Sequence, residues 1–180
     1  DTFNLENLPN TSSVEKLVIN NGAASVNGSV NADFQYINVN GTGSFNIDAT
    51  TSNADGFKDI VLNSAANKDN SFKTTQALSS IKTGAGNDDI TIGTYDINNV
   101  FYGSTVAKSI STGAGDDIVR ANLGEKATAD LGAGDDTFLG VVSKDSSVNA
   151  GAGDDVIRLV SALPEWNKDG SKFISSIKID

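Results

Sequence analysis

Short segments in which apolar and polar residues alternate recur along this chain. Three of them begin at Val14, Phe34 and Phe57, about twenty residues apart. An apolar spacing near two predicts β-strands, and Asn, Ser, Thr and Gly recur too often for a convincing helix. Asn-Gly pairs, which favour positive-φ corners between strands, begin at Asn21, Asn27 and Asn40. The pattern therefore predicts an all-β protein.

A loop rich in glycine and aspartate occurs four times in the second half of the chain. Its first glycines are Gly84, Gly113, Gly132 and Gly151, at separations of 29, 19 and 19 residues. Two apolar columns flank the loop, formed by Ile81, Ile110, Ala129 and Val148 before it and by Ile90, Val119, Phe138 and Ile157 after it. About twenty residues suffice for one turn of a small solenoid. We therefore predict turns of strand, glycine loop, strand and looser return, with inward side chains stacked on their equivalents.

This rhythm divides the chain into three parts of one continuous solenoid. Residues 1–80 are predicted to form turns without the acidic loops, residues 81–160 the turns that carry them, and residues 161–180 a loop or cap and a terminal strand. Residues 94–106 account for the longer first interval as a bulge or side loop. We expect the chain to be a fragment of a larger protein.

Composition narrows the chemistry to oxygen ligands and cations. The chain has 23 acidic and 13 basic residues, a net charge of −10, which argues against a nucleic acid or an anionic membrane as partner. It has no His, Cys or Met, so the side chains that usually bind zinc, copper or haem are missing, and so are imidazole bases and thiol nucleophiles. No apolar run approaches the roughly 20 residues of a membrane span, so we predict no membrane insertion.

The acidic residues of the loops would repel one another in a parallel stack. Equivalent residues of neighbouring turns should lie about 4.8 Å apart, which places Asp88, Asp117, Asp136 and Asp155 in one column. At an effective dielectric of 20, two such charges repel by roughly 3 kcal/mol. No lysine lies in the loops, and Arg120 and Arg158 follow the column aspartates by three residues. A bound cation is the simplest remedy, and the glycines can turn backbone carbonyls toward it as Ca²⁺ prefers.

These loops resemble the nonapeptide of the RTX proteins, G-G-x-G-x-D-x-U-x, in which U is large and apolar. The second Gly, fourth Gly, sixth Asp and eighth apolar residue match in all four copies, over residues 81–160. The resemblance implies a right-handed parallel β-roll, with about three Ca²⁺ ions between successive loops. The implied ligands are the carboxylates of Asp88, Asp117, Asp136 and Asp155 and the carbonyls of Gly84, Gly86, Gly113, Gly115, Gly132, Gly134, Gly151 and Gly153, with Asn87, Asp116, Asp135 and Asp154 as second choices.

The sequence departs from the RTX pattern in two ways. The first glycine of the motif is replaced by Thr83, Thr112, Leu131 or Ala150, and the copies recur every 19 rather than nine residues. Only one edge of each turn should therefore be acidic, and the opposite edge should be free of metal. The whole chain, cysteine-free and rich in Thr, Asn and Ser, also resembles the surface-layer (S-layer) proteins of Gram-negative bacteria that leave the cell by type I secretion.

The leading interpretation is a calcium-binding structural module of a bacterial surface layer, located outside the cell. Its partners would be calcium ions, neighbouring copies or domains of the same protein in a lattice, and a cell-surface glycan. The alternative is a calcium-dependent folding module of a secreted protease or lipase, or the stalk of an RTX adhesin. Simple solubilising turns and a sugar-cleaving enzyme were weighed as well. We expect no catalysis, because Glu6, Glu15, Glu125 and Glu165 are scattered and no aromatic cluster suggests a carbohydrate cleft.

Overall fold

The computed structural model describes residues 2–4, 16–21, 25–29, 34–50, 57–64, 67–95, 101–102 and 105–159. Within these ranges the protein is all-β, with seventeen strands and no helix. The strands are β1 (Thr2–Asn4), β2 (Lys16–Asn21), β3 (Ser25–Ser29), β4 (Tyr36–Gly41), β5 (Phe45–Ala49), β6 (Phe57–Asn63), β7 (Ser71–Thr74), β8 (Leu78–Lys82), β9 (Asp89–Ile92), β10 (Thr94–Tyr95), β11 (Phe101–Tyr102), β12 (Ala107–Ala114), β13 (Ile118–Ala121), β14 (Leu123–Ala133), β15 (Thr137–Gly140), β16 (Ser147–Asn149) and β17 (Val156–Leu159). In the described part of the chain no helix is long and apolar enough to cross a membrane. The predicted cap and terminal strand at 161–180 lie outside the described residues.

Two parallel sheets form the walls of the solenoid. One sheet has eight strands in the order β1-β3-β5-β7-β9-β13-β15-β17, and the other has seven in the order β16-β14-β12-β8-β6-β4-β2. Each turn gives one strand to each sheet, so chain order and stacking order agree. The stack passes without a break through β8, which spans the predicted boundary at residue 80. The predicted all-β parallel solenoid is confirmed.

The apolar columns stack between the sheets in the predicted register. Ile81 pairs with Ile110, Ile110 with Ala129, and Ala129 with Val148. The second column likewise runs from Ile90 through Val119 and Phe138 to Ile157. All of these side chains are at most 1% exposed except Ile157, which is half-buried. Burial of each large side chain stabilises the fold by roughly 1.5–3 kcal/mol, so the narrow core is continuous along the rod.

The turns before residue 80 are filled mainly by aromatic side chains. Phe45, Phe57 and Phe72 are at most 2% exposed. The rings of Phe57 and Phe72 meet edge to face, with their centroids 5.7 Å apart. Such a pair adds about 0.5–1.5 kcal/mol to the area that it buries. The part of the chain without acidic loops is therefore a packed continuation of the same core.

The extra length of the first interval leaves the stack as a side hairpin. β10 and β11 pair with each other in the antiparallel direction, Thr94 with Tyr102 and Tyr95 with Phe101. β9 meanwhile pairs directly with β13 in the next turn. The predicted side loop is confirmed, because the register on either side of it is unchanged.

The Asn-Gly pairs do not form the corners predicted for them. Gly28 has a φ of +129° but lies inside β3, and Gly41 ends β4 without a positive φ. Asn40 instead belongs to a row of stacked amides. Its Nδ2 donates to Oδ1 of Asn20 at 3.2 Å, and its Oδ1 accepts from Nδ2 of Asn63 at 3.2 Å. At position 40 the asparagine contributes to stability through its side chain, a role that the turn statistics did not suggest.

Candidate metal-binding edge

The four glycine-aspartate loops lie on top of one another along one edge of the solenoid. Ala85 bridges to Ala114, Ala114 pairs with Ala133, and Ala133 bridges to Ala152. Backbone N–H groups of Gly86, Gly115 and Gly134 donate to the alanine carbonyl of the next turn at 2.7, 2.7 and 2.8 Å. The repeat therefore brings all four predicted loops together, as the sequence spacing required.

Glycine is needed in these loops for close stacking as well as for backbone angle. A Cβ on Gly132, where φ is +109°, would lie 1.8 Å from the carbonyl oxygen of Gly113. A Cβ on Gly115 would lie 2.4 Å from the oxygen of Gly86. Each of these carbonyls thus points at the glycine of the next loop. Of the predicted glycine ligands, a positive φ is found at Gly86, Gly113, Gly115, Gly132, Gly134, Gly151 and Gly153, and Gly84 alone lacks it.

The residues that replace the first glycine of the RTX motif face the core. Thr83, Thr112, Leu131 and Ala150 are all at most 3% exposed. The Thr83 hydroxyl donates to the carbonyl oxygen of Thr112 at 3.0 Å, and the Thr112 hydroxyl to that of Leu131 at 2.8 Å. The departure from the motif therefore adds apolar burial and inter-turn hydrogen bonds where the loops begin.

The aspartate ladder, defined as Asp88, Asp117, Asp136 and Asp155, joins successive turns. Oδ1 of Asp117 accepts from the backbone N–H of Asp88 at 2.8 Å, and Oδ1 of Asp136 from that of Asp117 at 2.8 Å. Oδ1 of Asp155 accepts from the N–H of Asp136 at 2.9 Å. Each carboxylate therefore reaches back to the preceding turn. The first three are at most 1% exposed, and Asp155 is half-buried.

The second oxygen of each ladder carboxylate has no hydrogen-bond partner. Oδ2 of Asp88, Asp117, Asp136 and Asp155 is buried in all four cases. Burial raises the pKa of Asp117 to about 7, although the nearby Thr112 hydroxyl and the Asp88 amide lower it. Burial likewise raises the pKa of Asp136 to about 6, with further raising by Asp155. A buried, unpartnered anionic oxygen is costly, so each Oδ2 favours a proton or a cation beside it.

The acids at motif position five form a second row that points the other way. Oδ1 of Asn87 accepts from the N–H of Asp116 at 2.9 Å, Oδ1 of Asp116 from that of Asp135 at 2.9 Å, and Oδ1 of Asp135 from that of Asp154 at 2.8 Å. All four residues are exposed. Adjacent Asp116 and Asp117 thus contact opposite neighbouring turns, and the adjacent acids are divided between two directions.

A fifth loop, at residues 64–70, continues both rows and was missed from the sequence. Oδ1 of Asp69 accepts from the N–H of Asn87 at 2.9 Å. Asn70 stands where the ladder would have an aspartate, because its N–H donates to Oδ1 of Asp88 at 2.7 Å. A signal was present, since Phe72 follows Asn70 by two residues and pairs with Ile90. The lost glycines concealed it.

The donor set fits calcium on chemical grounds. The edge offers buried carboxylate oxygens and stacked glycine carbonyls, and an all-oxygen set of this kind is what Ca²⁺ binds. Arg120 does not neutralise the ladder, since it forms an ion pair with Asp89 at 2.7 Å. Within the described ranges no group of three or more acidic side chains converges, so carbonyls would have to complete any coordination shell.

Comparisons with protein-family models, with curated proteins and with solved structures give no significant match.

Proposed function

We propose that this chain is a calcium-binding structural module of a bacterial surface-layer protein, which folds and stiffens on Ca²⁺ and supports lattice assembly. The single observation that carries the calcium proposal is the buried, unpartnered Oδ2 on every member of the aspartate ladder. Surface turns whose acids merely improve solubility would leave those oxygens in water. The surface-layer part rests on the composition and repeat style of the chain.

The repeat itself indicates what each Oδ2 faces. At Asn70 the side-chain oxygen accepts from the N–H of Phe45, as each ladder Oδ1 accepts from the preceding turn. Its Nδ2 donates to Oδ1 of Asp88 at 2.8 Å. In the next turn Oδ2 of Asp88 takes the equivalent place, and by the same register it faces Oδ1 of Asp117. Two acceptors replace a donor and an acceptor, which requires a positive charge or a proton between them.

Three gaps of this kind lie between the four loops. The chain's part in each gap is to hold two carboxylates and the glycine carbonyls in place before any ion arrives. Bound calcium supplies the neutralising charge. A ligand that binds only the folded state adds about 2.7 kcal/mol per site at a hundredfold excess over Kd, so three sites would add roughly 8 kcal/mol. That is comparable with the total stability of a typical domain, so calcium would control folding.

This linkage suits a protein exported by type I secretion. Extracellular calcium modules have Kd values of about 10⁻⁴ to 10⁻³ M, so the sites would be empty in the cytosol and filled outside the cell. The same linkage would serve the alternative, a folding module of a secreted protease or lipase or an adhesin stalk. The domains encoded beside this chain discriminate between them, since a zinc-protease or lipase motif would favour the secreted enzyme.

The calcium proposal is tested by folding with and without the ion. We expect circular dichroism in EDTA to show reduced β-structure and millimolar CaCl₂ to restore it, with calorimetric titration giving about three ions per chain. MgCl₂ at the same concentration is the control, because Mg²⁺ demands a stricter octahedral site and should restore less. An unchanged spectrum together with no heat of binding would exclude the proposal.

A further inference from the structure

We propose that Asn70 is a positioning residue that ends the calcium stack: its side-chain amide occupies the place of a cation between loop 64–70 and the first glycine-aspartate loop. This inference rests on the proposed function for its calcium readout. It adds the boundary of the stack, and it also has a readout that needs no metal.

The contacts of Asn70 account for all of its polar atoms. The residue is 2% exposed. Its backbone N–H and its Nδ2 both donate to Oδ1 of Asp88, at 2.7 and 2.8 Å, and its Oδ1 accepts from the N–H of Phe45 at 3.3 Å. Nδ2 also donates to Oγ of Ser64 at 3.0 Å. A neutral amide that is fully hydrogen-bonded gives this gap no charge for a cation to neutralise.

The next gap along the stack lacks that donor. Asp88 replaces the amide by a carboxylate, whose Oδ2 is buried without a partner. Asn70 and Asp88 are otherwise equivalent, because β7 and β9 pair in register and both side chains accept a backbone N–H from the turn before. One atom, nitrogen at residue 70 and oxygen at residue 88, therefore separates a gap closed by hydrogen bonds from a gap that needs an ion.

Moving this atom should move the end of the stack by one turn. In Asn70→Asp a carboxylate oxygen would stand 2.8 Å from Oδ1 of Asp88 where a donor stands now. The variant should bind one more calcium ion per chain. Asp88→Asn makes the opposite change in the following gap, because its new Nδ2 can donate toward Asp117. That variant should bind one ion fewer.

The experiment measures calcium stoichiometry by calorimetric titration, and urea unfolding in EDTA, for the whole chain and both variants. In EDTA we expect Asn70→Asp to unfold at lower urea than the parent and Asp88→Asn at higher urea. The control is Asn46→Asp, an exposed asparagine whose Nδ2 donates to Asn27 at 2.9 Å. The control loses an Asn-Asn hydrogen bond outside the loops and should keep the parent's stoichiometry.

The outcomes separate this inference from the proposed function. If the parent binds no calcium, the proposed function fails, and the order of stability in EDTA still tests Asn70. If the parent binds calcium but neither variant changes the count, the inference is overturned alone. If Asn70→Asp does not fold in EDTA, as an uncompensated carboxylate pair predicts, Asp88→Asn still has to bind one ion fewer and unfold at higher urea, or the inference is wrong.

Discussion

Asp117 is the residue at which calcium binding and folding should oppose each other most clearly. The pKa of its buried carboxyl is raised from 3.8 to about 7. At about pH 8 the folded protein must therefore hold a charge that water would solvate better. Asparagine has the same shape, keeps an oxygen for the Asp88 amide and removes the charge. We predict that Asp117→Asn stabilises the calcium-free protein and abolishes at least one calcium site.

The size of the effect follows from the pKa. A shift of about three units corresponds to about 4 kcal/mol at 1.36 kcal/mol per unit. Relaxation of the loop around the charge lowers this figure, so we expect a gain of roughly 2 to 4 kcal/mol in EDTA. Loss of one calcium site forfeits about 2.7 kcal/mol at a hundredfold excess of the ion over Kd. In millimolar CaCl₂ the variant's advantage should therefore vanish or reverse.

Urea unfolding followed by circular dichroism, in EDTA and in millimolar CaCl₂, measures both effects. The matched control is Asp130→Asn, the same chemical change at an exposed residue of β14 that accepts from Nδ2 of Asn149 at 3.0 Å. It should change neither stability. A lower stability of Asp117→Asn in EDTA would show that the buried charge is not a liability. An undiminished calcium response would remove Asp117 from the ligands.

Three further predictions concern the loops and the hairpin. Gly132→Ala places a Cβ 1.8 Å from a backbone oxygen of the preceding loop and should cost at least about 3 kcal/mol in urea unfolding, whereas Gly124→Ala meets flexible side-chain carbon at 3.3 Å and should cost far less; equal losses would contradict the stacking argument. In EDTA the stability should be greatest below about pH 4 and fall as pH rises through 6 to 7, because the folded pKa values of Asp136 and Asp117, about 6 and about 7, lie above the unfolded value of 3.8; thermal midpoints that rise over this range would refute it. Deletion of residues 94–103 should change the free energy of unfolding by no more than about 1 kcal/mol, since β9 and β13 pair directly, and loss of cooperative unfolding would show that the hairpin supports the stack.

The stacking was predictable because a parallel solenoid turns sequence period into spatial register. Residues 19 apart, such as Val119 and Phe138, are hydrogen-bonded neighbours, so aligning the copies already placed the columns and the loops. The interval of 29 residues could be interpreted for the same reason, since the excess had to leave the stack. These features depend on spacing alone, and spacing is present in the sequence.

The direction of the acidic side chains was not predictable. Asp116 and Asp117 are identical residues side by side, and which of them turns inward depends on the backbone angles set by Gly113 and Gly115. The sequence argument expected all the column charges to face one another across bare gaps, whereas Oδ1 of Asp117 accepts a backbone amide. Asn70 was missed because its loop lies 18 rather than 19 residues before the next and has no glycine.

The paired acids make each loop dependent on both of its neighbours. Asp117 caps an amide of the turn before, and Asp116 caps an amide of the turn after. A hydrogen bond to a charged group contributes about 1.5–3 kcal/mol, so a loop with one neighbour lacks one such bond and holds an unpaired charge as well. Stability of a solenoid is a sum of turns and of contacts between adjacent turns, and here the charged contacts lie between turns. Acidic loops of this design should therefore form together, which explains why adjacent carboxylates that repel are useful in a repeated loop.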